Sequence, residues 1–254
     1  MNNISCCIDM MFSHLDFYDR FAAVKKCGID TVEFWKWTNK DIDRICEIIN
    51  KEKLGVSIFN MDSSDENLSY DLSRGILNAG RSEEFVSALW ESIPVYKKLG
   101  ASAMIVLIGE NSDYNEANVL SCLNAAKPIL EAEDVTLIVE PLNDIDRANY
   151  SMPYAKPVFE MLRKVNSPKI KMLYDIYHQS MMKDFSMDDI RNNIDIIGHF
   201  HVADAPGRHE PGTGEVDYIS ILSEISGMAY DGFIGLEYRA TKPDDETLGF
   251  LKEI

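Results

Sequence analysis

Cations are scarce in this chain. Its 25 lysines and arginines stand against 42 aspartates and glutamates, a formal net charge of −17 over 254 residues. A nucleic-acid binder must displace counterions from phosphates with positive side chains, so this balance points away from DNA and RNA. An anionic membrane surface is disfavoured for the same reason. No apolar run approaches the roughly 20 residues a membrane span needs, and the opening MNNISCCIDMMF lacks the basic stretch of a secretory signal. Cysteine is sparse and unpatterned: Cys6, Cys7, Cys27, Cys46 and Cys122 are an odd number with neither CxxC nor Cys/His spacing. They read as reduced thiols of a cytoplasmic protein, not as a disulfide framework. Glycine is missing from Cys6 to Ser13, where an open doubly wound sheet would carry a phosphate loop. Linkers and low-complexity tracts are also lacking, so residues 1–254 are expected to form a single domain. Nothing in the sequence excludes a homo-oligomer.

What is present is an alternation. Eight short apolar segments rich in β-branched residues read as strands: 4–10, 31–35, 55–60, 103–109, 136–140, 170–175, 198–203 and 233–237. Being apolar on both faces, they suit parallel strands covered on both sides. Helical segments lie between them. One runs from Phe17 to Lys26 and stops at Gly28; another runs from Glu83 to Leu99 and stops at Gly100, each glycine standing where a helix end favours a left-handed residue. Ser186 precedes MDDIRNN as an N-cap with Asp189 three residues on. Eight such units predict an α/β fold closed into one (β/α)8 TIM barrel.

Four polar residues interrupt the apolar runs of the last four strands: Glu140 in TLIVEP, Asp175 in KMLYDIYH, His201 in GHFHVAD and Glu237 in GFIGLEY. Their separations of 35, 26 and 36 residues are each about one strand-plus-helix unit. The four therefore fall at the C-terminal ends of strands five to eight, the face that carries the active site in such barrels. Strand alternation pairs His201 with His199, and Glu237 with Gly235, on the lumen side. Three carboxylates about 5 Å apart repel by roughly 3 kcal/mol per pair at an effective dielectric near 20. A divalent ion relieves that repulsion. Three oxygen donors and one imidazole suit Mg²⁺ or Mn²⁺ better than zinc. Glu140 and Glu237, facing one another across the ion, can serve as the acid–base pair.

Other residues gather near the same face. His178 follows Asp175 by three and is a candidate for substrate contact. The Gly- and Pro-rich segment 203–215 reads as an active-site loop with Arg208 as its cation. Arg74 and Arg81 bracket another expected long loop after strand three. An acidic protein needs local cations to hold an anionic substrate, so Arg208, Arg74 and Arg81 are the substrate-binding candidates. Trp35 and Trp37 could wall the pocket or pack between helices; Met181 and Met182 read as packing.

The segments IVEPLN, LYDIYH, GHFHVADAPGRHEPGTGEVDY and GFIGLEY resemble the hydroxypyruvate isomerase family among the xylose-isomerase-like barrels, and RGILNAGRSEEF and LDFYDRF extend the resemblance along essentially the whole chain. It implies a metal-dependent aldose–ketose isomerase of small oxo-acids, with paired catalytic glutamates at Glu140 and Glu237 and a metal site completed by Asp175 and position 201. Hydroxypyruvate isomerases tend to carry glutamine where His201 stands; histidine there is similar to the ketose 3-epimerases. An epimerase using the same metal site is thus the alternative. An endonuclease IV-like enzyme would need a histidine-rich three-zinc cluster that five histidines in this arrangement do not supply. A sugar-acid-binding barrel without turnover would leave the glutamate pair idle.

Overall fold

A computed structural model of the chain describes residues 3–110 and 113–252. Eight parallel strands close on themselves in sequence order: β1 (Asn3–Cys7), β2 (Thr31–Lys36), β3 (Gly55–Asn60), β4 (Ala103–Leu107), β5 (Leu137–Glu140), β6 (Ile170–Asp175), β7 (Ile197–Val202) and β8 (Phe233–Leu236). Each expected strand is found, with ends displaced by at most three residues. The ring of helices comprises α1 (Phe17–Lys26), α2 (Ile42–Glu52), α3 (Glu66–Arg74), α4 (Ser82–Leu99), α5 (Glu116–Glu133), α6 (Ala155–Val165), α7 (Ile176–Met181), α8 (Met187–Asn193), α9 (Tyr218–Ser226) and α10 (Asp244–Thr247).

Local chemistry sets the element ends. Gly100 closes α4 at φ 63°, and Lys53, Asp134 and Asn166 take the same left-handed role after α2, α5 and α6. Acids open several helices: Asp41, Asp65 and Asp217 accept backbone N–H groups of the first turn, and Ser186 does so from Asp189 at 3.2 Å. Asp65 has a consequence for the sequence reading. By capping Glu66–Arg74 it turns the expected long loop after β3 into a helix followed by a 3-10 turn at Leu77–Ala79. Arg74 and Arg81 are therefore helix-end residues, not loop residues.

The strands are buried on both faces, as β4 and β5 show along their whole length. Aromatic rings fill the layer between strands and helices, with Phe34 stacked on Phe59 at 6.0 Å and Tyr174 on Phe159 at 6.1 Å. Covering both faces is what lets a parallel strand end in a charged residue without exposing its sides. All five cysteines are free thiols. Among the described residues no helix is long and apolar enough to cross a membrane.

Candidate active site

Strand register brings the four interrupting residues to one end of the barrel. Asp175 stands beside His201 across β6 and β7, and His201 beside Gly235 across β7 and β8. Glu140 is the last residue of β5, and Glu237 follows β8 directly, its N–H donating to Val202 O at 3.1 Å. All four side chains are buried, and one ligand atom from each lies within 4.8 Å of the others. Asp175 also caps α7, accepting the N–H of His178 at 3.2 Å. That contact explains why a strand gives way to a helix at this residue.

His201 is the hub. Its Nδ1 lies 3.6 Å from Glu140 Oε1 and 3.3 Å from Glu237 Oε2, while Nε2 faces Glu33 Oε1 at 2.9 Å. Both ring nitrogens are buried without a hydrogen bond, Nε2 meeting Glu33 Oε1 only as a close charge contact. A buried ring nitrogen grouped with the carboxylates of Glu140, Asp175 and Glu237 fits, once it gives up its proton, a divalent ion of oxygen-and-nitrogen preference.

Each charge acts on its neighbours across the centre. Burial raises the Asp175 carboxyl, and although Arg208 and His201 oppose the rise, it titrates at about 7. Burial also raises Glu237, but Arg208 and His201 outweigh it and hold this carboxyl below the usual carboxylate range. For His201, burial disfavours the imidazolium, yet Glu237 and Glu33 reverse the effect and lift it well above an ordinary histidine. His178 goes the other way. Burial and the nearby Arg208 and His201 keep it neutral.

His178 has a fixed tautomer. Asn143 donates its backbone N–H to Nδ1 at 3.1 Å, so the ring proton belongs on Nε2. That Nε2 is buried without a hydrogen-bond partner and lies 3.4 Å from Asp175 Oδ2, on the wall of the cavity. Asn143 is itself set by its side chain, which accepts from Ile145 and Asp146 and donates to Asp146 Oδ2 at 3.0 Å.

The cavity over this centre has a volume of about 720 Å³, with Glu140, Glu237 and His178 in its wall. Arg208 enters it from the loop after β7, in a left-handed conformation at φ 57°. Its guanidinium hydrogen-bonds Glu237 and lies 3.9 Å from Asp175. The loop is anchored by buried Asp204, which accepts the N–H groups of Gly212 at 2.7 Å and Val216 at 3.1 Å. Glu210 ties the same loop to Thr241. Trp35 walls the cavity and donates Nε1 to Glu237 Oε1 at 2.8 Å, whereas Trp37 packs outward with Nε1 on Ser92. Met181 also reaches the cavity wall.

The arginine candidates separate. Arg208 lines the cavity, but Arg74 is engaged by Glu110, and Arg81 by Asp71 and Glu84, and neither lines it. The expectation placed them in a free loop, whereas the helices α3 and α4 direct them to acidic neighbours. Lys36, Lys40, Arg147 and Arg239 line the cavity instead. Sequence reasoning passed over these four, and over Glu33 and Asn143. A charge in the middle of TVEFW, flanked by apolar residues in a strand buried on both sides, was a readable sign of Glu33. Arg147 carried no such sign, since its place depends on its pairing with Glu110 at 2.6 Å.

A closed parallel barrel with a carboxylate-rich, histidine-containing centre at its C-terminal end is the class of protein this geometry defines. The profile of the xylose isomerase-like TIM barrel family matches residues 21–254. Hydroxypyruvate isomerase of Escherichia coli K12 is 30% identical over 94% of both chains. A 2-oxo-tetronate isomerase of Cupriavidus necator is 27% identical over 96% of this chain and 95% of its own. The chain belongs to the xylose isomerase-like TIM barrel family and, within it, to the hydroxypyruvate isomerases. Among solved structures, one described as an AP endonuclease of family 2 from Brucella melitensis superposes with a TM-score of 0.91 at 24% identity, covering 99% of this chain and 98% of its own. An L-ribulose 3-epimerase superposes with a TM-score of 0.75 at 20% identity, covering 100% and 87%. At these identities both likenesses speak for the fold.

Proposed function

We propose that this chain is a metal-dependent aldose–ketose isomerase of small oxo-acids, interconverting hydroxypyruvate and tartronate semialdehyde or acting on 2-oxo-tetronate. The observation that carries this reading is the pair of buried glutamates, Glu140 and Glu237, set on two sides of His201 Nδ1 at the base of a cavity of about 720 Å³. The names of the two curated relatives support the substrate class.

Glu140, Asp175, His201 and Glu237 would hold Mg²⁺ or Mn²⁺. When bound, such an ion polarises the substrate carbonyl and the neighbouring hydroxyl and neutralises charge that develops on oxygen. The chain's own groups move the protons. One glutamate removes a proton from the hydroxymethyl carbon of hydroxypyruvate, and the C–H electron pair becomes the double bond of an enediolate. A proton returned to the adjacent carbon, with the hydroxyl proton passing to the former carbonyl oxygen, gives the aldehyde. Each acid–base step is worth about 10²–10⁴-fold. The Nε2–H of neutral His178 would donate to an oxygen gaining charge. The substrate carboxylate would be received by the cavity cations, of which Arg208, Lys36 and Arg147 come from three different loops or strand ends.

Proton NMR of hydroxypyruvate, 2-oxo-tetronate and a ketohexose panel with the Mg²⁺-supplied protein tests the reading. Conversion of an oxo-acid to its aldehyde isomer is expected. Exclusive inversion at C3 of a ketose, with no oxo-acid turnover, would replace isomerase by epimerase.

A further inference from the structure

Beneath the four-residue centre lies a carboxylate to which the reading above assigns no role. Glu33 stands in β2, 1% exposed. Its Oε2 accepts from Ser5 Oγ of β1 at 2.6 Å and from Ser57 Oγ of β3 at 3.1 Å. The same oxygen lies 3.1 Å from His199 Nε2, and Oε1 lies 2.9 Å from His201 Nε2. Gly235 of β8 completes the cradle: a Cβ there would lie 2.5 Å from each Glu33 oxygen and 2.7 Å from His199 Nε2. Four strands around β2 thus give up side-chain volume or supply a polar group so that a charge can sit in the lumen. An ionised carboxylate at such depth is costly unless paired and hydrogen-bonded, and an apolar residue would fill the space without that cost.

We propose that Glu33 is a positioning residue for the divalent-ion site. By setting a carboxylate oxygen 2.9 Å from Nε2 of His201, it favours the proton on that nitrogen and keeps the Nδ1 lone pair turned toward Glu140, Asp175 and Glu237. The inference rests on those four residues being the ion's ligands. A neutral imidazole can carry its proton on either nitrogen, and one that carries it on Nδ1 cannot coordinate there. Carboxylates on the far nitrogen of a ligating histidine fix tautomer and ring orientation and raise ligand basicity. His199, packed edge-on to His201 with ring centroids 5.1 Å apart, steadies the carboxylate from its other oxygen.

The test measures Mn²⁺ binding by calorimetry to chelator-stripped wild type, Glu33→Gln and Ser57→Ala, with circular dichroism to establish folding. Nitrogen-15 spectra of histidine-labelled, Mg²⁺-saturated protein read the His201 tautomer. Glu33→Gln is expected to weaken Mn²⁺ binding by roughly 10- to 100-fold and to disturb the His201 nitrogen shifts. Ser57→Ala, which removes one donor from Glu33 and keeps its charge, is expected to weaken binding in the same direction by a smaller factor, and it decides the matter if Glu33→Gln does not fold. Folded variants whose isotherms superpose on wild type, with unchanged His201 shifts, would overturn the role of Glu33. A wild type that binds no ion at all would instead overturn the ligand assignment, and the inference with it.

Discussion

If Glu140, Asp175, His201 and Glu237 hold the ion, loading the centre should release protons. His201 would coordinate through Nδ1 only as neutral imidazole, but Glu237 and Glu33, overcoming burial, raise its pKa well above the ordinary histidine value. Asp175, raised mainly by burial, titrates at about 7. A raised pKa means that the metal-free fold keeps its proton to higher pH, so the ion competes with that proton and affinity climbs as pH rises. On that ligand set both groups should be protonated near pH 6, and about two protons should leave per ion bound. Each released proton makes affinity change by about tenfold per pH unit, so the dissociation constant should fall by up to ~100-fold between pH 6 and 7. Above about pH 8 Asp175 is already ionised, and the dependence should relax toward one proton or fewer. In His201→Gln one of the two protons is gone, and the slope near pH 6 should drop by about one. Mn²⁺ calorimetry from pH 6 to 8, run in two buffers of different ionisation enthalpy, counts the protons directly. Superimposable pH profiles for wild type and His201→Gln would refute coordination by His201.

Glu140→Gln and Glu237→Gln are nearly isosteric and cannot accept a proton, so each should lower turnover by about 10²-fold or more at measured full metal occupancy; near wild-type turnover would remove that glutamate from proton transfer. Asp175→Asn should raise the melting temperature of metal-free protein at pH 8 while weakening Mn²⁺ binding. The sign follows from a folded pKa of about 7 against an ordinary aspartate value of 3.8: stability present below the unfolded value is lost as pH rises through the folded one, and asparagine never ionises. The gap between variant and wild type should therefore shrink toward pH 5, and an equal gap at both pH values would contradict the assignment. Gly235→Ala would put a Cβ 2.5 Å from both Glu33 oxygens, so it should destabilise by about 1–3 kcal/mol in chemical denaturation; an unchanged midpoint would show that the cradle is loose.

Much of the barrel was legible because its strands are short apolar runs punctuated by caps. Ser186, Gly100 and the run Gly55–Asn60 act through their own backbone neighbours, and such local chemistry is written in the sequence. The juxtaposition of Glu140, Asp175, His201 and Glu237 was legible for a different reason: a barrel that closes in chain order turns even spacing along the chain into adjacency around a ring. The cavity's cations were not. Arg74 and Arg81 looked free because the cap at Asp65 was overlooked, and the acids that engage them, Glu110, Asp71 and Glu84, act through helix placement. Lys36 and Arg147 reach the cavity through side-chain directions that periodicity does not encode. Glu33 itself was readable as a charge inside an apolar strand, but its partners Ser5, Ser57, His199 and His201 come from three other strands and are not encoded in spacing.

The central claim is that the buried glutamates exchange a carbon-bound proton of a small oxo-acid at an ion-dependent centre. Hydroxypyruvate in D₂O, followed by proton NMR with chelator-stripped protein and again after Mg²⁺ is restored, tests it most directly. The account predicts no conversion by the stripped protein, and after restoration an aldehyde isomer carrying solvent deuterium at the carbon that receives the proton. Equal turnover with and without the ion, or an ion-loaded protein that neither isomerises the oxo-acid nor exchanges its hydroxymethyl protons, would contradict it.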